Sequence, residues 1–477
     1  MTNQLRRFPA VRTGGFRSHP EDSDLNMTTQ SLFIGIALTF SLPFRYAAAQ
    51  TTDTDQKVQQ LEQRVDDLDR QLKIAERQTE LVDADAASKA ANAATVTADT
   101  GGFNIKSNDG NFALKIGADL QVDNRDYIDG GAGTDGILLR RVRPTFSGTV
   151  YKYVDYFFRP DFGQGQTIIY DAYLELKYFS KFKVRVGKFK PPVGLERLQS
   201  DDDTSFVERG LPTLLVPSRD IGYQISGDIL PQLNYAVGVF NGVPDNSLSD
   251  AAVSGHRDFA ARLFLTPFKT STNSAGKAFR GLGLGSGLDG GGVDGEPLPS
   301  YKTFGQNTFF SFASGVAEAG HRTRLTPQGY YYLGPFGLET EYTLTEEGLR
   351  KGALQRDIAF RSWQVQTSYI LTGEKKGFTS PTPSHPFDPA HGGWGAWELA
   401  LRVGDFSAEK GVFQYGFASA SASPRRAHEW TGGVNWYLNR LVRFSVDYGN
   451  TNFGGGAPGG NRPSENTLIT RFQINFI

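Results

Sequence analysis

The chain has 477 residues, no cysteine, 50 Lys and Arg against 51 Asp and Glu, 55 glycines, 35 phenylalanines and 19 tyrosines. A mean hydropathy of −0.38 excludes a bundle of spanning helices, each of which needs about 20 consecutive apolar residues, and 12% aromatics exclude a mostly disordered chain. Without cysteine there are no disulfides, thiolate zinc sites or thiol nucleophiles, and a formal charge of −1 argues against nucleic acid as a partner.

The apolar run 31–42, followed by Ala47-Ala48-Ala49-Gln50, has the length of a signal-peptide core and a small-x-small cleavage pattern. It predicts a targeting segment over 1–49. A start at Met27 leaves no basic residue ahead of the run, whereas Met1 supplies Arg6, Arg7, Arg12 and Arg17, so both starts stay open. Next, Val58, Leu61, Val65, Leu68, Leu72 and Ala75 recur at spacings of three and four. This is the seam of a short periplasmic coiled coil over 50–82, with a single amphipathic helix as the alternative. About three heptads are marginal alone, so the seam implies chains already held together. A linker rich in Ala, Asp and Thr is expected over 83–110.

From Asn111 onward the dominant period is two. Phe112, Leu114, Ile116, Ala118, Leu120 and Val122 alternate with Lys115, Asp119, Gln121 and Asp123; Tyr170, Ala172, Leu174 and Leu176 alternate with Asp171, Tyr173, Glu175 and Lys177. Each such segment has one apolar and one polar face. About 16 candidates occur, many near 10 residues or longer, which exceeds the usual globular strand. Connections alternate between long and tight. Long ones cover 124–136, 191–218, 241–255, 288–320, 348–357, 407–424 and 454–463; tight ones fall at 152, 179–181, 230–232, 334–335 and 439–440. Long loops on one rim and short turns on the other are the outer-membrane pattern. Segments 267–278 and 374–393 are long where a short turn belongs, and 163–166 is short on the long side. Aromatics gather at strand ends, as interfacial girdles do. The fold class is all-β: an antiparallel transmembrane β-barrel over 111–477, behind a coiled-coil helix, in the outer membrane of a Gram-negative bacterium and in contact with its lipid.

Several motifs resemble chemistry. Gly285-Ser286-Gly287-Leu288-Asp289-Gly290 fits GxGxxG by letter, but opens no helical pattern and reads as a surface loop. His385, Asp388 and His391 sit in a Pro-Gly-rich turn, and Glu346-Glu347 are adjacent, so on a strand they face opposite sides. No catalytic set, cofactor or metal site is expected.

In a barrel of roughly 16 strands the inward face lines an aqueous channel, and inward charges set selectivity. Arg141, Arg143, Thr145, Ser147 and Thr149 share the wet face of one strand. Arg140 falls by parity on the apolar face, which places it at a rim, at a subunit contact or across a bulge. Lys183 and Arg185 also turn inward. Leu139-Arg140-Arg141-Val142-Arg143, Tyr170-Asp171-Ala172-Tyr173-Leu174-Glu175 and Val186-Gly187-Lys188-Phe189-Lys190-Pro191-Pro192-Val193-Gly194-Leu195-Glu196 together resemble the phosphate-selective porin O and P family. So do Phe206-Val207-Glu208-Arg209, Gly395-Ala396-Trp397-Glu398-Leu399 and Gly433-Val434-Asn435-Trp436-Tyr437-Leu438. The resemblance implies a 16-stranded homotrimeric barrel whose third long loop enters the pore, with basic residues binding small inorganic anions such as phosphate. By the same resemblance, Arg140 and Arg141 match paired arginines, Arg185 a pore-wall lysine and Arg197 a lysine of the inserted loop. Ser200 matches an anion-holding serine, and Asp171 an aspartate beside the site. Asp201-Asp202-Asp203 depart from a polar-to-basic pattern; they repel a dianion unless they point away or pair with Arg209 or Arg219. A general porin, or an envelope tether acting through the coiled coil, is the alternative.

Overall fold

The computed structural model describes residues 51–99, 101–128 and 133–476; the expected targeting segment lies outside them. The chain divides into two compact units after Asp83. Helix α1 runs Thr51–Asn92, and its seam is open to solvent, Leu61 and Leu68 being 61% and 60% exposed. It continues beyond Val82 because Ala84, Ala86, Ala87, Ala90 and Ala91 are the strongest of helix formers. Where a linker was expected, Thr95–Asp99 and Gly102–Lys106 form a hairpin whose second strand pairs with the first barrel strand.

The barrel strands are β1 (Ala113–Ile128), β2 (Gly136–Val150), β3 (Val154–Asp161), β4 (Ile168–Phe179), β5 (Phe182–Phe189), β6 (Asp220–Leu230), β7 (Leu233–Phe240) and β8 (Asp258–Leu265). They continue as β9 (Leu282–Asp294), β10 (Val316–Leu333), β11 (Phe336–Lys351), β12 (Leu354–Ile370), β13 (Ala396–Ala408), β14 (Pro424–Tyr437), β15 (Val442–Ala457) and β16 (Glu465–Phe476). Each pairs antiparallel with the next, and β16 returns to β1 from Asn466↔Ile128 to Phe476↔Ala118. The 16-strand sheet is therefore closed, which satisfies every ladder position without an edge.

The two faces separate as the alternation requires. Asp119, Gln121, Asp123 and Arg125 of β1 are buried inside, while Leu120 is 39% exposed on the outer face. Leu174, Tyr223, Phe259 and Leu263 are likewise exposed outward, as a lipid-facing surface demands. Both anomalous connections remain long, spanning 266–281 and 371–395, and 163–165 forms a single short turn. Two expectations are corrected. The 348–357 connection is a two-residue turn, since β11 runs to Lys351 and Gly352 takes φ 60°. The glycine-rich GxGxxG stretch is strand β9 rather than a loop: Leu284 and Leu288 face outward while Gly283, Gly285 and Gly287 face in. A Cβ on Gly287 would sit 3.0 Å from Val193 Cγ1 and 2.6 Å from Thr326 Oγ1. Glycine is needed there because the inserted loop lies directly against the wall.

Candidate functional site: two chambers flanking an inserted loop

The third loop of the long rim, 190–219, lies inside the barrel with most of its residues buried. It has little regular structure of its own, so its backbone polar groups must find other partners. Side chains of the wall supply them. Arg443, Arg471 and Arg402 donate to the carbonyls of Thr204, Val207 and Glu208 at 2.9, 2.6 and 3.0 Å, and Asn435 donates to Ser205 O at 2.8 Å. Glu341 accepts the backbone N–H groups of Leu195 and Glu196 at 2.9 and 3.1 Å. All these wall residues belong to β11–β16.

Two more segments fill that side. In the long-rim loop 295–315, Tyr301, Phe309 and Phe310 pack with Phe360, Phe406 and Phe453. From the opposite rim, 371–395 folds inward: Lys376 Nζ lies 2.8 Å from Glu398, Gln199 Nε2 donates to Phe378 O at 2.7 Å, and the Ser380 N–H donates to Asp203 at 2.7 Å. Open space remains above and below the loop, chiefly beside β2–β8, and a further cavity of about 340 Å³ lies against β14–β16.

The outer chamber, about 520 Å³, holds Arg140, Arg141, Arg143 and Arg197 of the expected set. Arg140 is the extra residue of a β-bulge, since Gln121 pairs with Arg141 and Val122 with Leu139. The bulge turns it inward against parity, and Nε and Nη2 donate to Glu208 at 2.6 and 3.0 Å. Arg143 holds Asp161 at 2.7 Å and Asp201 at 2.5 Å; Arg141 Nε lies 3.4 Å from Asp201, and Arg209 also pairs with Asp201. Arg197 donates to Thr213 O at 2.5 Å and Asn246 Oδ1 at 2.6 Å. Burial, then neighbouring Arg209, lowers its pKa to about 10, which still leaves it charged. Burial pushes Glu208 upward, but Arg140 and Arg125 override it and hold the carboxyl well below its usual range. Six basic side chains and five acidic ones line this chamber, so it is nearly neutral overall.

The inner chamber, about 350 Å³, lies across the loop and holds Asp171, Arg185 and Ser200 of the expected set, with Arg159, Lys190, Arg219 and Arg262. Five basic side chains and one acid line it. Arg219 pairs with Asp171 at 3.3 Å and Arg185 with Glu175 at 2.6 Å. Arg159 donates to Thr145 Oγ1 at 3.1 Å and Arg262 to Gln328 Oε1 at 3.1 Å; neither makes an ion pair among the described residues, although Arg159 stands opposite Asp171 in the β3–β4 register. Lys190 donates to the carbonyls of Gln199 and Leu198 at 2.7 and 3.4 Å. Burial, then Arg219 and Arg209, lowers its ammonium well below the usual range; an anion in the chamber offsets those charges and favours protonation. With Lys190 neutral the lining carries three net positive charges, or two once the Glu175 carboxylate that pairs with Arg185 is counted.

Tyr170 stands between the chambers, with Arg143 and Arg219 guanidinium carbons each 3.6 Å from its ring centroid. Two groups that close cannot share one face, so they sandwich it. Ser200 donates to Asp202 at 3.1 Å, Asp202 also accepts from Gln121 at 3.2 Å, and Asp203 turns to Ser380. The three aspartates thus diverge, and none lines the inner chamber. Arg159 and Arg262 are site residues that the sequence motifs do not single out, although strand parity alone turns both inward.

A closed barrel with a polar, ion-rich lumen narrowed by an inserted loop is the architecture of an outer-membrane porin. The chain belongs to the phosphate-selective porin O and P family, whose pattern its residues 111–476 match. It is similar to Porin O of Pseudomonas aeruginosa, at 25% identity over 394 residues, covering 73% of this chain and 85% of the relative. Among solved structures, the outer membrane channel DcaP of Acinetobacter baumannii superposes with a TM-score of 0.51 at 10% identity, covering 78% of this chain and 99% of that one. The loop L8 deletion mutant of OmpT from Vibrio cholerae gives 0.49 at 13% identity, covering 76% and 99%. The protein is a Gram-negative outer-membrane porin, not an enzyme.

Proposed function

We propose that the protein passes small anions by passive diffusion, and that phosphate-like oxyanions dwell in the inner chamber. The observation that carries this reading is the excess of five basic side chains over one carboxylate in that lining. Arg159 and Arg262 have guanidinium donors that no acid engages among the described residues, and a planar guanidinium grips an oxyanion with two N–H groups at once. One charge pair about 4 Å apart is worth roughly 4 kcal/mol at an effective dielectric near 20, so two or three cations offset much of an anion's lost hydration. Too firm a grip defeats transport: with entry near 10⁸ per molar per second, a dissociation constant of about 1 μM leaves only about 100 exits per second. Staged, weak sites suit throughput. The exposed α1 seam supports a homotrimer joined by a coiled coil as its assembly. In planar bilayers, reversal potentials in a KCl gradient should favour chloride, and added phosphate should block the chloride current. Preference for potassium would overturn the proposal.

A further inference from the structure

The outer chamber contains a built oxyanion seat that is already taken. Asp201, on the inserted loop, is 5% exposed. Its Oδ2 accepts from Arg143 Nη1 at 2.5 Å and from Tyr170 Oη at 3.3 Å, and lies 3.4 Å from Arg141 Nε. Its Oδ1 accepts from Arg209 Nη1. Three guanidiniums and a phenol converging on two oxygens form the donor set that a free phosphate or sulfate would require. Neither neighbouring aspartate shares it, since Asp202 faces Gln121 and Asp203 faces Ser380.

We infer that Asp201 is a tethered competitor: its carboxylate occupies the oxyanion seat made by Arg141, Arg143 and Arg209, so a permeating phosphate-class anion enters that seat only by displacing it. A ligand held on the same chain competes at an effective concentration on the order of millimolar or more, so a dilute external anion loses the contest. Burial alone would favour the neutral acid, but Arg209, Arg141 and Arg143 hold the Asp201 carboxyl well below its usual range, so the competitor stays charged at physiological pH. The outer chamber then acts as a low-affinity vestibule, which keeps anions moving inward instead of trapping them at the mouth. Asp201 is in this sense a specificity-setting residue of the pore, acting through the arginines it neutralises.

This inference rests on the anion-passing reading above. It is tested with the full-length protein in planar bilayers by titrating the chloride current with inorganic phosphate. Asp201→Asn removes the charge and keeps the shape; the half-blocking phosphate concentration should fall at least tenfold. Asp201→Glu, which restores a competing carboxylate, should return it toward the wild-type value, and adding Arg143→Gln to Asp201→Asn should abolish the gain. Asp201→Ser is the second variant, offering different hydrogen bonds to the loop; tighter block in whichever variant inserts supports the inference. Higher chloride conductance without tighter block would mean that the aspartate only pins the loop, and would overturn it. An anion-selective wild type with an unchanged half-block in the variants sinks this inference alone, whereas a cation-selective wild type sinks the anion reading with it.

Discussion

Arg262→Gln tests where the anion is held. Arg262 lines both the inner chamber and a further cavity of about 310 Å³ that carries on past Lys269 toward the short-turn rim. It hydrogen-bonds Gln328 Oε1 at 3.1 and 3.2 Å and lies 4.3 Å from the Phe264 ring, while making no ion pair among the described residues. Its guanidinium can therefore turn to an arriving oxyanion without first breaking a salt bridge. A charge-assisted hydrogen bond contributes about 1.5–3 kcal/mol, and each 1.4 kcal/mol is roughly tenfold in affinity. The half-blocking phosphate concentration should thus rise about 10- to 150-fold. Arg140→Gln is the counterpart. Its Nε and Nη2 already serve Glu208, at 2.6 and 3.0 Å, so it reaches an inner anion only through the field. Arg140 lines the outer chamber and not the inner one, and across water and salt such a field is largely screened, so the change should be less than about twofold. Phosphate titration of chloride current in about 0.1 M KCl, where screening extends over roughly 10 Å, reads both effects. If Arg140→Gln weakens the block as much as Arg262→Gln, or if neither moves it, the anion is not held in the inner chamber.

Two further outcomes follow from the packing. Gly287→Val drives side-chain atoms into Val193, which is fully buried at the root of the inserted loop; overpacking of this kind costs about 1–3 kcal/mol. It should lower the denaturant midpoint and speed trypsin cleavage after Arg197 or Arg209, and unchanged cleavage would mean the loop root is not pressed on β9. Deleting 57–82 should leave single-channel conductance intact, because every chamber residue lies in the barrel unit. If conductance falls, α1 acts on the pore itself, and if an envelope phenotype alone appears, a tethering role gains support.

The barrel is legible because its signal is local. Asp119, Gln121 and Asp123 alternate with Ala118, Leu120 and Val122, and the pleat turns that order directly into an inside and an outside. Strand β9 is hidden because glycine is a poor strand former, although Leu284 and Leu288 keep the outward beat. That the expected residues line the lumen is legible, and how they pair is not. Arg140 meets Glu208 and Arg143 meets Asp201 across more than 50 residues of chain, and nothing in local spacing says which acid an inserted loop will bring to which arginine. For Arg140 parity alone gives the apolar face, and the bulge, one of the three placements open to it, is what reverses it. Arg140, Arg141, Arg143 and Arg185 consequently prove paired with acids, while Arg197 and the quieter Arg159 and Arg262 make no ion pair among the described residues.

Several strands beside the inner chamber are short, alternating with β4 of 12 residues and β6 of 11. β3, β5, β7 and β8 have eight residues each, whereas β10 has 18 and β12 has 17. At about 3.4 Å per residue and a tilt near 40°, eight residues rise only about 21 Å, against an apolar band of about 25 Å in outer-membrane barrels. Eighteen residues rise about 47 Å. The wall is therefore low at alternate strands on one side, where β4 and β6 still rise about 31 and 29 Å, and tall throughout on the other. Lipid must thin to meet the low side, or a neighbouring copy must cover it. Either way, the stretch of wall that borders the conducting space is also the one where the membrane fits worst.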